Sequence, residues 1–175
     1  CVFVYPLLRR HMLGREGFGV RKKPWLATLS FILLTEAVGG LSALLSGGME
    51  LYESGIQKPP LSPPGIVFPI VWTILFALLG IGAARIYLAP DSSERTKALT
   101  LYLVQLAVNF FWSILFFRFE AFGFALLWLI LLWILILWMA DAFAQVDNWA
   151  SALQIPYILW VAFAGYLNFG VWRLN

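Results

Sequence analysis

Few side chains in this chain can do chemistry, and the first question is which. Its one cysteine, Cys1, and its one histidine, His11, both precede the first run long enough to span a membrane. The sequence therefore offers no disulfide framework, no cysteine metal cluster and no nucleophile–base pair of the hydrolytic kind. What remains is a set of indoles, phenols and amides set into apolar sequence. Gln105 and Asn109, four apart, put two amides on one helix face together with Trp112 and Phe116. At membrane depth each amide needs a partner, either across the protein or on a ligand. Tyr157, Trp160, Ala164 and Asn168 share a narrow arc of a second helix. That face offers a hydroxyl, an indole, a small gap and an amide, which suits an apolar ligand with a few oriented polar contacts and suits helix packing equally. Trp72, Phe76, Leu79 and Ala83 form a third stripe. Glu36 is a carboxylate within an apolar run, expensive there unless it faces a cavity or a partner, and it reads as a paired structural group or as a site.

The elements that must position these groups are membrane helices. The composition is 62% hydrophobic and 12% charged over 175 residues, and the mean hydropathy of +0.85 lies far from that of soluble domains. Spans are expected over 25–46, 65–87, 98–117, 121–140 and 149–171, each near the roughly 20 residues that cross a hydrocarbon core. Unbroken apolar runs exclude the alternating pattern of a barrel, so the fold class is an all-α membrane protein, a bundle of five transmembrane helices. Five spans leave no room for a soluble catalytic domain. Between the first two spans, Lys58-Pro59-Pro60-Leu61-Ser62-Pro63-Pro64 is a proline-stiffened loop that cannot join a helix and is expected to act as a lid. Gly39, Gly40, Ala43 and Ser46 lie near Glu36 on the first span and allow close helix packing. Trp128, Trp133 and Trp138, spaced by five, are rotated about 140° from one another and cannot form one wall, so they are set aside as site residues. Asp141 and Asp147 read as loop charges at the membrane interface.

The basic residues Arg9, Arg10, Arg15, Arg21, Lys22 and Lys23 precede the first span, and Arg85, Arg95 and Lys97 fall on the same side; Lys58, Arg118 and Arg173 fall on the other. The positive-inside rule then places the N-terminus in the cytoplasm and the C-terminus outside. The opening residues lack the layout of a secretory signal, and a chain that opens on Cys1 reads as a truncated frame. Two domains are expected, a basic extension over 1–24 and the five-helix unit over 25–175.

In order and spacing, Gly40-Leu41-Ser42, the Lys58-Pro59 and Pro63-Pro64 lid, Phe68 with Trp72-Thr73-Ile74-Leu75-Phe76, Gln105 with Asn109, Trp112-Ser113 with Phe116-Phe117, and Pro156-Tyr157 with Trp160, Phe163-Ala164 and Leu167-Asn168 resemble the tryptophan-rich sensory protein and translocator protein (TspO/MBR, peripheral-type benzodiazepine receptor) family. The resemblance covers 25–175. It implies a homodimer in a bacterial cell membrane, with a pocket under the first loop that takes porphyrins and, in some members, sterols or synthetic ligands. Carried over residue by residue, it assigns pocket roles to Tyr52, Trp72, Asn109, Trp112, Trp160 and Ala164. With the stripes above and the lid, the expected ligand-binding set is Tyr52, Pro63, Trp72, Phe76, Gln105, Asn109, Trp112, Tyr157, Trp160 and Ala164. Many relatives carry tryptophan at the positions of Leu61 and Ile66. The sterol pattern of animal members is not met, since Phe169 and Gly170 stand where a tyrosine should precede Arg173.

The expected function is a membrane receptor or carrier for tetrapyrroles such as protoporphyrin, with the macrocycle stacked on Trp72 and Trp160 and a sensory, sequestering or transport role. No cofactor or metal is expected, nor nucleic acid. With His11 ahead of the bundle, a metal-free porphyrin, or haem held without histidine, is the expected ligand. An enzymatic alternative is light-dependent porphyrin degradation, in which the oxidisable Trp72 and Trp160 would be the reactive groups. A transporter ranks below binding, because the sequence shows neither an inverted repeat nor interrupted helices at mid-span.

Overall fold

Each apolar run folds as a helix whose ends are set by a few polar or ring-constrained residues. The computed structural model describes residues 23–47 and 50–175; Cys1, His11 and the basic residues before Lys23 lie outside the described residues. Helix α1 (Pro24–Leu45) carries its proline in the first turn, where the missing N–H costs nothing. It ends before Gly47, whose φ of 90° is the left-handed conformation that glycine adopts freely. After a single π-helical turn, Leu51–Gly55, and the proline loop, α2 (Val67–Leu88) descends and α3 (Ser93–Ser113) returns. The Ser92 Oγ caps α3 by accepting from the Arg95 amide. A second π-helical turn, Ile114–Arg118, extends α3 towards α4 (Phe122–Ala144).

The fifth span differs from the single run expected over 149–171. It is broken into a short α5 (Asn148–Ala152) and a long α6 (Ile155–Leu174). Pro156 has no amide proton to give and its ring clashes with the preceding turn, so the helix restarts with the proline near its beginning. Five helical segments are long and apolar enough to cross a membrane, and the chain is an integral membrane protein.

Chain neighbours and side-chain bridges arrange the helices as a ring, α1–α2–α6–α4–α3, closed by α1 on α3. The core runs along its axis through Leu79, Ile86, Tyr102, Leu132, Ile136 and Phe143. Two of the α4 tryptophans are structural bridges. Trp128 donates its indole N–H to the Val108 carbonyl of α3 at 2.8 Å, and Trp133 donates to the Ile158 carbonyl of α6 at 3.1 Å. Trp138 is exposed, with the Lys97 ammonium over its ring. Across the α2–α3 end, Arg85 pairs with Asp147 at 2.8 Å. The same carboxylate caps α5 through the Trp149 and Ala150 amides.

The α1–α2 contact depends on glycine. A Cβ at Gly80 would sit 2.7 Å from the Ile32 Cα and 2.8 Å from its amide nitrogen, so only glycine lets the two backbones cross there. From α1, Thr35 meets the Tyr102 hydroxyl of α3 at 2.8 Å and the Ser42 hydroxyl donates to the Phe110 carbonyl at 2.6 Å.

The proline loop is latched over the lid end of the bundle. Asn175 brackets Gln57, accepting from its amide at 2.9 Å and donating to its carbonyl at 3.0 Å. Tyr166 donates to the Pro60 carbonyl, and Pro59 rests on Gly170, where a Cβ would come within 2.4 Å of its ring. Tyr52 is buried beneath the loop and donates to the Pro63 carbonyl at 3.0 Å, while the Lys58 ammonium lies 4.7 Å above its ring.

A candidate ligand cavity between α1, α2 and α3

Beyond the Gly80 crossing, towards the lid, α1 and α2 enclose a cavity of about 240 Å³ against α3. The α1 wall is the small-residue face read from the sequence: Glu36, Gly39, Gly40, Ala43 and Ser46 all border it. That face was expected to allow close helix packing, and at Gly39 it does: a Cβ there would come within 2.0 Å of the Phe76 ring. Gly40 has nothing within 4 Å of the place its Cβ would take. The opposite wall is aromatic, with Phe68, Trp72 and Phe76 of α2, and the back is Asn109 and Trp112 of α3 with Phe117. The Trp72 ring centroid is 5.2 Å from Phe76, 6.5 Å from Trp112 and 6.1 Å from Tyr157. These are spacings at which ring edges and faces attract.

Behind the cavity the amides are engaged. Asn109 donates to the Tyr157 hydroxyl at 2.5 Å, Tyr157 donates to Gln105 Oε1 at 2.9 Å, and Gln105 Nε2 donates to the Tyr102 carbonyl at 3.2 Å. Gln105 and Tyr157 are buried and joined to each other, so their polarity ties α3 to α6. Asn109 alone in this chain of bonds also borders the cavity. Asn168 works in the same way one step along, accepting from the Trp112 indole at 3.3 Å and donating to the Phe122 carbonyl at 2.8 Å.

The expected site residues therefore divide. Trp72, Phe76, Asn109 and Trp112 share the cavity. Tyr52 and Ala164 border a separate gap of about 20 Å³ under the lid. Pro63 contributes its carbonyl to Tyr52. Trp160 faces a shallow groove on the outer surface with Val71, Pro156 and Phe163. Its indole N–H is buried and has no hydrogen-bond partner among the described residues. Cavity and lid gap are separated by a partition they share, made of Phe68, Trp112 and Phe117. Phe117 and Ser42 stand among the motifs quoted above without a pocket role, and only the helix arrangement makes them wall residues. Burial raises the Tyr52 phenol above its ordinary pKa, which keeps it a hydrogen-bond donor to the loop.

Residues 31–173 match the TspO/MBR family. The chain belongs to that family. Among its relatives, the translocator protein of Bos taurus is 36% identical over 155 residues, spanning 87% of this chain and 92% of the relative. Protein CrtK of Rhodobacter capsulatus is 37% identical over 147 residues, 83% of this chain and 90% of its own length. The tryptophan-rich sensory protein of Cereibacter sphaeroides is 35% identical over 151 residues, 86% and 92% of the two chains. The cavity and its lid thus belong to a TspO/MBR membrane protein with relatives in bacteria and mammals.

Proposed function

We propose that this protein is a membrane receptor or carrier for tetrapyrroles, with a sensory or sequestering role, and that the macrocycle is held against Trp72. The supporting observation is the aromatic wall of the α1–α2–α3 cavity, where Trp72, Phe76 and Trp112 present flat apolar surface and Asn109 gives one polar edge. Such a lining suits a flat, largely apolar ligand oriented by a few polar groups. The cavity volume of about 240 Å³ is below the roughly 300–1,000 Å³ usual for ligand sites. Binding a macrocycle therefore requires the partition of Phe68, Trp112 and Phe117 to swing and join the cavity to the gap under the lid. That movement brings Tyr52 and Ala164 to the ligand, and it aligns the site with the pocket expected under the first loop.

Orientation is part of the proposal. Lys23, Arg85, Arg95 and Lys97 lie at the end opposite the lid, so the N-terminus is cytoplasmic and the lid outside. The test is protoporphyrin IX titrated into the detergent-solubilised protein and followed by its absorbance band. Trp72→Ala is expected to weaken binding by about tenfold, a loss of stacking worth roughly 1.4 kcal/mol, and Trp160→Phe in the outer groove to leave it unchanged. Undiminished affinity in Trp72→Ala would remove this pocket.

A further inference from the structure

The cavity carries one ionisable side chain, and it is acidic. Glu36 lies about 18 Å along an α1 roughly 33 Å long, near the middle of the span by its 1.5 Å rise per residue. Among the described residues its carboxyl makes no hydrogen bond or ion pair, and no lysine, arginine or histidine borders the cavity. An ionisable group at that depth faces a cavity and marks a ligand or ion by default. The rings of Trp72 and Phe76 stand across from it, and aromatic faces attract cations. Gly40 and Ala43 of α1 and Pro69 and Thr73 of α2 border the same cavity and are exposed, so it opens on the lipid-facing surface between the two helices.

We propose that this cavity binds small apolar molecules that carry a protonated amine, with Glu36 as the counter-charge and Trp72 and Phe76 as the cation-binding faces. A tetrapyrrole bears carboxylates and would turn them to the lid end, so the amine is a second ligand class of opposite charge. The route in is through the bilayer. A neutral amine dissolved in lipid takes the proton of the Glu36 carboxylic acid, or an ammonium enters to meet its carboxylate. Either route ends in the same pair, R–NH₃⁺ with –COO⁻, with the proton accounted for and no net charge left in the membrane. A volume of about 240 Å³ suits a two-ring monoamine rather than a macrocycle.

The test uses 2-naphthylethylamine and its uncharged counterpart 2-naphthylethanol, titrated separately into the full-length protein in detergent at neutral pH by calorimetry. The wild type is expected to bind the amine about tenfold more tightly than the alcohol, the order of one charge-assisted contact. Glu36→Gln should abolish that preference, while Glu36→Asp should keep part of it. Equal binding of amine and alcohol by the wild type overturns the proposal without need of any variant, and so does an amine preference that survives in Glu36→Gln. Protoporphyrin titrated into the same samples separates the two readings. Its binding by the wild type, together with an amine preference that Glu36→Gln loses, supports both. An amine preference in a wild type that does not bind protoporphyrin leaves this inference standing and removes the tetrapyrrole reading.

Discussion

The two sides of this bundle use similar residues to opposite ends. On the α3–α4–α6 side, tryptophans, tyrosines and amides are consumed by the protein itself: Trp128 and Trp133 donate to carbonyls on neighbouring helices, and Asn109, Tyr157 and Gln105 form one connected run. On the α1–α2 side, glycine permits one close crossing at Gly80, and beyond it Trp72, Phe76 and Glu36 face open space. In a membrane, where lipid is as apolar as leucine, packing and interhelical hydrogen bonds hold helices together. Where such bonds and close crossings join the helices the bundle is closed, and between α1 and α2 beyond Gly80 it leaves a cavity.

The largest effect that tests this contrast is expected at the crossing. Gly80→Val drives a branched side chain into the α1 backbone at Ile32, and it should destabilise the protein by about 3 kcal/mol, the upper end for overpacking. Denaturant titration of the detergent-solubilised protein measures it. A shift near zero would mean that α1 is not held there. Next is Tyr157→Phe, which strands Gln105 Oε1 and Asn109 Nδ2 in a buried place. A loss of about 2 kcal/mol is expected by the same titration. Replacing Gln105 and Asn109 by leucine in that background should recover part of the loss, since an apolar set leaves no group unpaired.

Gly40→Ala is the counterpart of the Gly80 change. Nothing lies within 4 Å of the new methyl, so better helix propensity should stabilise α1 by about 0.5 kcal/mol, while the narrowed cavity weakens protoporphyrin binding. Destabilisation would mean that Gly40 packs on a neighbour after all. The smallest effect belongs to the surface. Arg85→Gln should cost about 0.5 kcal/mol, as exposed ion pairs do. Burial alone would raise the Asp147 carboxyl, but hydrogen bonds from the Ala150 and Trp149 amides and from Arg85 outweigh it and hold its pKa below the ordinary value. A depressed folded-state pKa stabilises the protein above the unfolded value near 3.9 and loses that contribution as pH falls through the folded value. The Arg85→Gln difference should therefore be constant at neutral pH and shrink only below about pH 4. A difference that varies between pH 6 and 8 would assign it to another group.

Much of the architecture was legible in the sequence, because long apolar runs admit only helices in lipid; the caps that Ser92 and Asp147 supply were not, since a serine before the third span and a carboxylate between the last two read equally as loop residues. Trp128 and Trp133 bridge to neighbouring helices, and nothing in their spacing revealed the carbonyls they hold. The break before Pro156 was less legible, since a proline early in a span is compatible with one helix or two. The candidate site was half legible. Stripes at helical spacing marked Trp72, Phe76, Asn109 and Trp112, but a small-residue face reads the same whether it meets a helix or borders a void. Gly39, Gly40 and Gly80 look alike in sequence; only the crossing point distinguishes them. For the same reason Trp160 shares a helix face with Tyr157 yet turns to the outer surface, as a residue at the edge of an arc can.

Whether a tetrapyrrole sits between α1 and α2 against Trp72 is decided by a structure with protoporphyrin IX bound. The macrocycle is expected on Trp72, with Phe68, Trp112 and Phe117 displaced so that the cavity and the gap beneath Tyr52 become one. A macrocycle seated instead in the outer groove of Val71, Trp160 and Phe163, with the partition unmoved, would contradict it.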